Sequence, residues 1–293
     1  MKKVFLIVLA MIAFASLFGC SDDDNSIVIG TKDFTEQYIL GDILKIHIEE
    51  NTNIEATLMF DLATEVIFAA LRTGVIDVYV DYTGTIYSYA TIRSETGTPR
   101  EIFEITSRTV DERYDLHMFE PLGFNNTFML AVRRDTAEEY NLRTISDLAK
   151  ISENLVFGGG AEIIRRNDGL PNLKILYDMS FKEEIALDGV ERYLAISRDE
   201  IQVSEVFSTD GHLLTYDLVV LEDDKNFFPP YEGVIIIRKD TMESFPELQR
   251  ILGNLSGAIT DEAMRELNYR VDVLGDSPYE VADYFLRRIN LIP

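Results

Sequence analysis

The first organised pattern after the N-terminal segment is Ile27-Val28-Ile29, a short buried-strand run closed by Gly30. Leu40, Ile43, Leu44, His47 and Ile48 then recur at helical spacing. Asp33, three residues before Glu36, has the spacing of a helix-start capping arrangement. A second helix is predicted over Thr64 to Arg72, stopped at Gly74, and a strand over Val75 to Val80. Strand and helix in alternation predict an α/β architecture with substantially parallel sheets. A second set begins near Asn126. Strands are predicted at Thr127–Val132, Leu155–Phe157, Gln202–Val206 and Leu218–Leu221, with a helix over Thr144–Lys150. Pro229-Pro230 breaks the chain, Val234–Ile237 restarts a strand, and helical stretches follow near Glu247–Gly257, Asp261–Leu267 and Pro278–Ile289. No internal repeat or low-complexity linker separates the two α/β sets. They read as two lobes sharing one chain, with crossings near Pro121–Asn125 and Asp223–Pro230, and a cleft between such lobes is a common ligand site.

The N-terminus follows a different pattern. Lys2 and Lys3 precede an apolar run from Val4 to Phe18, and small Gly19 and Cys20 follow. This is the order of a secretory signal, and the run is shorter than a bilayer span needs. Cys20 is the chain's one cysteine. Leu17-Phe18-Gly19-Cys20 resembles a bacterial lipobox, so residues 1–19 are expected to be removed and Cys20 lipidated. Residues 20–26, with Asp22, Asp23 and Asp24, read as a polar tether. The expected location is outside the cytoplasmic membrane and attached to it, on the periplasmic or cell-surface side.

Composition narrows the function. The 293 residues hold 27 Lys+Arg against 51 Asp+Glu, a formal charge of −24, and 46% hydrophobic residues. That apolar content suffices for a packed core, and the acidity argues against nucleic acid, which needs a basic footprint. Loss of residues 1–19 removes two lysines and leaves 25 basic against 51 acidic residues, or −26. One cysteine excludes a disulfide framework and a thiolate zinc site, and His47, His117 and His212 form no i,i+4 pair. No G-x-S-x-G, H-E-x-x-H or nucleotide phosphate loop is present, so an enzyme reading finds little support.

Several strand-end segments carry candidate chemistry. Thr31-Lys32-Asp33-Phe34-Thr35-Glu36-Gln37 joins the first strand to the first helix, where a helix start and Lys32 favour a carboxylate. Asp81-Tyr82-Thr83-Gly84-Thr85 follows a strand and places Tyr82 and Thr85 toward a cleft. Arg165 and Arg166 are adjacent, so at most one points into a given site, and an arginine can grip a carboxylate with two parallel hydrogen bonds. Val206–Gly211 and Asp223–Tyr231 are strand-end loops rich in aromatic residues, in which Phe227 and Phe228 read as packing residues.

Together these segments resemble the extracytoplasmic substrate-binding proteins of ABC importers for quaternary ammonium osmoprotectants, the glycine betaine/carnitine/choline type. The likeness is carried by Gly30–Gln37, Asp81–Thr85, Gly123–Phe128, Ser146–Leu148, Glu162–Gly169, Ser208–Gly211, Leu221–Tyr231, Ile259–Met264 and Leu267–Tyr269, in order along the mature chain. The resemblance implies a two-lobed clamshell of the type II periplasmic-binding kind, each lobe a mixed, mostly parallel sheet flanked by helices. Lobe 1 is expected over 27–122 plus 229–293 and lobe 2 over 123–228. It implies an aromatic box of Tyr82, Phe128, Phe207 and Tyr231, with Arg166 on a ligand carboxylate and Lys32 and Thr85 as polar helpers. It also implies no catalytic residue, cofactor or metal, and as partners a quaternary ammonium ligand and the permease and ATPase subunits of an importer. A trimethylammonium group has no N–H to donate, so ring faces rather than hydrogen bonds must hold it. Family members commonly carry tyrosine where this chain has Phe128, and some do at Phe207. Those departures bear on the ligand and point toward a bulkier or differently substituted ammonium compound. The rival readings are a clamshell receptor for another small zwitterion such as an amino acid, an extracytoplasmic sensor, and a hydrolase using paired acids.

Overall fold

The computed structural model describes residues 25–90, 97–187 and 189–293. The expected signal segment 1–19 and Cys20 lie outside the described residues. Two five-stranded sheets form the frame among them. The first holds β1 (Ser26–Gly30), β2 (Glu55–Met59), β3 (Val78–Tyr82), β4 (Leu116–Met118) and β10 (Gly233–Arg238), in the order β2-β1-β3-β10-β4. The second holds β5 (Phe128–Arg133), β6 (Val156–Gly159), β7 (Glu183–Ala186), β8 (Val203–Phe207) and β9 (Leu218–Leu221), in the order β7-β6-β8-β5-β9.

The two sheets share one logic without a sequence repeat. In each, the βαβ part pairs in parallel: β2, β1 and β3 in the first, β7, β6 and β8 in the second. In each, the strand that enters from the other sheet runs antiparallel to both its neighbours, β10 in the first and β5 in the second. The parallel share is therefore half of each sheet's pairings, less than strand–helix alternation alone suggests, because a returning strand arrives from the opposite direction.

Period-two alternation sorts the side chains onto opposite faces of the first sheet. Val78, Val80, Tyr82, Ile235 and Ile237 join the core under the helix Thr35–Asn51, whereas Tyr79, Val234 and Ile236 join the core under the helices Thr64–Thr73 and Pro99–Tyr114. Isoleucines 235, 236 and 237 are fully buried, and each such side chain contributes about 1.5–3 kcal/mol by leaving water. The second sheet packs Leu130, Val132, Phe157 and Val203 against its own helices.

Three local expectations change. The strand predicted over Val75–Val80 lies at Val78–Tyr82, so Asp81 and Tyr82 belong to its end and Thr83 opens the helix Thr83–Ala90. Asp33 does not cap the helix Thr35–Asn51: Phe34 occupies the cap position with no side-chain bond, and Glu36 turns into the interior. The helix Pro99–Tyr114, with a full capping box from Thr98 and Glu101, was not expected from the apolar spacing, since only four of its residues are buried.

The chain passes between the sheets twice, and the two passages pair with each other. Asn125 and Glu232 form an antiparallel bridge, Asn126 N–H donates to the Tyr231 carbonyl at 3.0 Å, and Gly233 N–H donates to the Phe124 carbonyl at 3.1 Å. A third tie lies beside them. Arg265 donates to the Ser208 carbonyl through Nε and Nη2, at 3.0 and 2.7 Å. Gly211 rests on the helix Asp261–Asp272, where a Cβ would stand 2.4 Å from the Tyr269 backbone nitrogen.

Asp42, on the helix Thr35–Asn51, is 8% exposed, and burial raises its pKa to about 6 despite nearby Lys45. A raised carboxyl pKa means that the folded chain holds the proton more tightly than the unfolded chain, so stability is lost as pH rises through about 6. Asp42→Asn is expected to raise the thermal midpoint at pH 7.5 by about 2–4 °C and to change it little at pH 4, as read by thermal denaturation at the two pH values.

Candidate functional site

A cleft of about 840 Å³ opens between the two sheets. All seven residues assigned from the sequence line it: Lys32, Tyr82 and Thr85 from the first-sheet side, Phe128, Arg166 and Phe207 from the second, and Tyr231 from the returning passage. Strand ends position most of them. Phe128 opens β5 and Phe207 closes β8, and their antiparallel register sets them directly opposite.

The aromatic residues form two groups. Phe128 stands 5.0 Å from Phe207 and 5.6 Å from Tyr231 between ring centroids, the latter edge to face at 88°. Phe228 backs this group 5.9 Å from Phe128, which fits its expected packing role. Tyr82 belongs to the second group, stacked at 22° on Phe34 with centroids 6.4 Å apart. Phe34 lines the cleft and is 38% exposed. The sequence reading gives it no role, although it sits within the segment singled out for binding.

Tyr82 is held by a buried carboxylate that the sequence reading leaves unassigned. Its hydroxyl donates to Glu36 Oε1 at 2.6 Å and accepts from Gln37 Nε2 at 3.2 Å. Glu36 is 3% exposed and also accepts from Asn126 Nδ2 at 2.8 Å and Asn268 Nδ2 at 3.1 Å. Burial pushes the Glu36 carboxyl above its usual range, and these donors partly offset that cost. One carboxylate thus ties the first helix, β3, the hinge passage and the helix Asp261–Asp272 at the floor of the cleft. Only the tertiary contact reveals this, because Glu36 has the helix-start position of an ordinary capping acid.

The cations also arrive already paired. Lys32 Nζ is 2.5 Å from Asp81 Oδ1 in full burial and lies 5.1 Å from the Tyr82 ring centroid. Asp81 further accepts from the Tyr79 and Tyr89 hydroxyls, at 2.7 and 2.5 Å. Arg166 forks onto Asp168, Nε to Oδ1 at 2.8 Å and Nη2 to Oδ2 at 2.5 Å, with its Cζ 5.8 Å from the Phe128 ring centroid. Burial alone would weaken the guanidinium's hold on its proton, but Asp168 more than reverses this, and Arg166 in turn pulls the Asp168 carboxyl below its usual range. The Tyr231 hydroxyl donates to the same Asp168 at 2.8 Å. Asp168, two residues beyond Arg166, therefore orients one ring and one guanidinium together. Arg165 also lines the cleft but is exposed, with its Nε donating to the Ala161 carbonyl.

Gly84 lets the hinge come close. A Cβ there would stand 2.7 Å from the Pro230 carbonyl oxygen and 3.0 Å from the Tyr231 ring. The arrangement can hold a molecule with a soft cationic end against ring faces and a negative end against Arg166.

The chain is similar to known proteins over most of its length. Residues 25–288 match the family model described as the substrate-binding domain of ABC-type glycine betaine transport system. A Helicobacter pylori protein described as ergothioneine transport permease/ergothioneine binding protein is 36% identical over 98% of this chain, which spans 52% of that relative's length. A carnitine transport binding protein of Listeria monocytogenes is 31% identical, covering 99% of this chain and 98% of the relative. A crystal structure of a glycine betaine/carnitine/choline ABC transporter protein superposes with a TM-score of 0.79 at 31% identity, over 90% of this chain and 99% of that one. Among the described residues no helix is long and apolar enough to cross a membrane. The chain belongs to the family of substrate-binding domains of ABC-type glycine betaine transport systems.

Proposed function

We propose that this protein captures a zwitterion bearing a quaternary ammonium group in the inter-sheet cleft and presents it to the permease of an ABC importer, with no covalent step on this chain. The observation that carries the reading is the meeting of Phe128, Phe207 and Tyr231 with Arg166 at the wall of a cleft whose other wall is Tyr82. Each cation–π contact would contribute about 0.5–2 kcal/mol to holding the methylated nitrogen, which can make no hydrogen bond of its own. Arg166 would take the carboxylate, with Lys32 and Thr85 as polar helpers on the opposite wall. Lobe 1 would comprise 27–122 and 229–293 and lobe 2 would comprise 123–228, closing about the paired passages. A lipid on Cys20 would keep the chain at the outer face of the cytoplasmic membrane.

Phenylalanine at 128 and 207 keeps the ring faces and drops the hydroxyl, which suits a bulkier ammonium compound. The similarity to an ergothioneine-binding relative supports placing that larger betaine beside the small ones. Calorimetry of the mature chain with glycine betaine, carnitine, choline and ergothioneine is expected to show binding by at least one. Binding of a simple amino acid with none of these four would remove the reading.

Two variants test the parts. Arg166→Ala is expected to weaken glycine betaine and carnitine by about thirtyfold or more, the scale of a charge-assisted fork, and choline by less than about threefold. Choline lacks the carboxylate and gains the uncovered Asp168. Equal loss for all three would reject the role given to Arg166. Gly84→Ala is expected to displace Pro230 and Tyr231 and to weaken every ammonium ligand about tenfold at an unchanged far-ultraviolet spectrum, because the new methyl meets a backbone oxygen that cannot move aside alone.

A further inference from the structure

The cleft holds a further buried guanidinium to which the reading above gives no task. Arg192, on the helix Val190–Ser197, is 6% exposed and lines the cleft beside Phe207 and Asp210. Its Nη2 donates to Asp210 Oδ2 at 3.0 Å, and its Nη1 stands 4.0 Å from Glu205 Oε2. Both acids are fixed in turn. Asp210 accepts from the Phe207 backbone N–H at 3.1 Å and from the Tyr193 hydroxyl, and Glu205 accepts from the Gly160 N–H at 2.5 Å. The Arg192 Cζ lies 5.3 Å from the Phe207 ring centroid. Its Nε is buried and without a hydrogen-bond partner among the described residues, and Nη1 stands beyond hydrogen-bond distance of Glu205. Folded proteins leave few such groups, since an unmade bond of this kind costs about 1–3 kcal/mol.

Resting on the proposed reading of the cleft, we infer that Arg192 is a second anchor for the ligand, its Nε–H taking an acceptor atom on the body of the ammonium zwitterion. The two guanidiniums stand on different rings, Arg166 on Phe128 and Arg192 on Phe207. One is suited to the carboxylate and the other to a group farther along the molecule. Glu205 and Asp210, at the Nη1 and Nη2 side of the same guanidinium, supply acceptors, so the matching ligand group carries a donor next to its acceptor, as a hydroxyl or a cyclic thiourea does. Glycine betaine offers nothing here, having a single methylene between its charged ends. The ligand class is therefore a betaine with a polar body.

The test uses the mature chain and two ligand pairs, each differing in one acceptor. Ergothioneine is set against hercynine, which lacks the sulfur, and carnitine against γ-butyrobetaine, which lacks the hydroxyl. Dissociation constants are measured by calorimetry for the wild type and Arg192→Lys, which keeps a cation for Asp210 but has no Nε–H. The wild type is expected to bind the acceptor-bearing member of at least one pair about tenfold tighter or more, as a hydrogen bond to a charged donor allows. In Arg192→Lys that preference, read as the ratio of affinities within each pair, should fall below about threefold. Equal binding of both members of each pair by the wild type, as water on Nε would give, overturns the inference. So does a preference that survives in Arg192→Lys. If Arg192→Lys melts early, Arg192→Gln with Asp210→Asn removes both charges and is read in the same way. Absence of binding by every ammonium compound would instead strike the proposed function itself.

Discussion

Three of the four cations that line the cleft are paired with acids of the same chain, and each of the three lies on the face of a ring that also lines it. Lys32 pairs with Asp81 and lies over Tyr82, Arg166 pairs with Asp168 and lies over Phe128, and Arg192 pairs with Asp210 and lies over Phe207. Burying any of these charges alone would cost several kcal/mol, so the pairing is what allows cations to sit at an aromatic site at all. Each pair is neutral by itself, while Asp33, Glu36, Glu162, Glu205 and Asp272 also line the cleft and leave its wall acidic.

The pairing makes the cleft a set of fixed positions. Asp168 holds the Arg166 fork and the Tyr231 hydroxyl together, so the guanidinium and one ring of the wall share one anchor. Glu36 does the corresponding work for Tyr82 and extends it to Asn126 and Asn268. Asn126 belongs to the first passage between the sheets and Tyr231 to the second, and their backbones are bonded to each other. A change in the angle between the sheets must therefore be felt by both the rings and the guanidinium.

The topology explains why the site lies where it does. Each sheet accepts one strand from the other side, and that strand runs antiparallel to its neighbours. The strands that cross bring Phe128 to the start of β5 and Tyr231 to the approach of β10, so the passages between the sheets and the ring-lined wall of the cleft are built from the same few residues. Gly84 and Gly211 permit the close approaches on either side, one to the returning passage and one to the helix Asp261–Asp272.

The chain's own pattern determined much of this. Apolar runs ended by glycine marked the central strands and helical spacing marked the helix Thr35–Asn51, signals that depend on periodicity and on neighbours within a few positions. The seven residues that come to line one cleft were implied by the resemblance of the ordered segments to a known family. Glu36, Asp168 and Arg192 were not legible in the same way. An acid near a helix start, an acid two residues after an arginine and an arginine on a surface helix are ordinary in a chain with 51 acidic residues. Their roles arise from partners 46, 63 and 18 positions away, Tyr82 for Glu36, Tyr231 for Asp168 and Asp210 for Arg192. Long-range pairing of buried charge is decided by how the sheets pack, and only the tertiary structure brings those side chains within hydrogen-bonding distance.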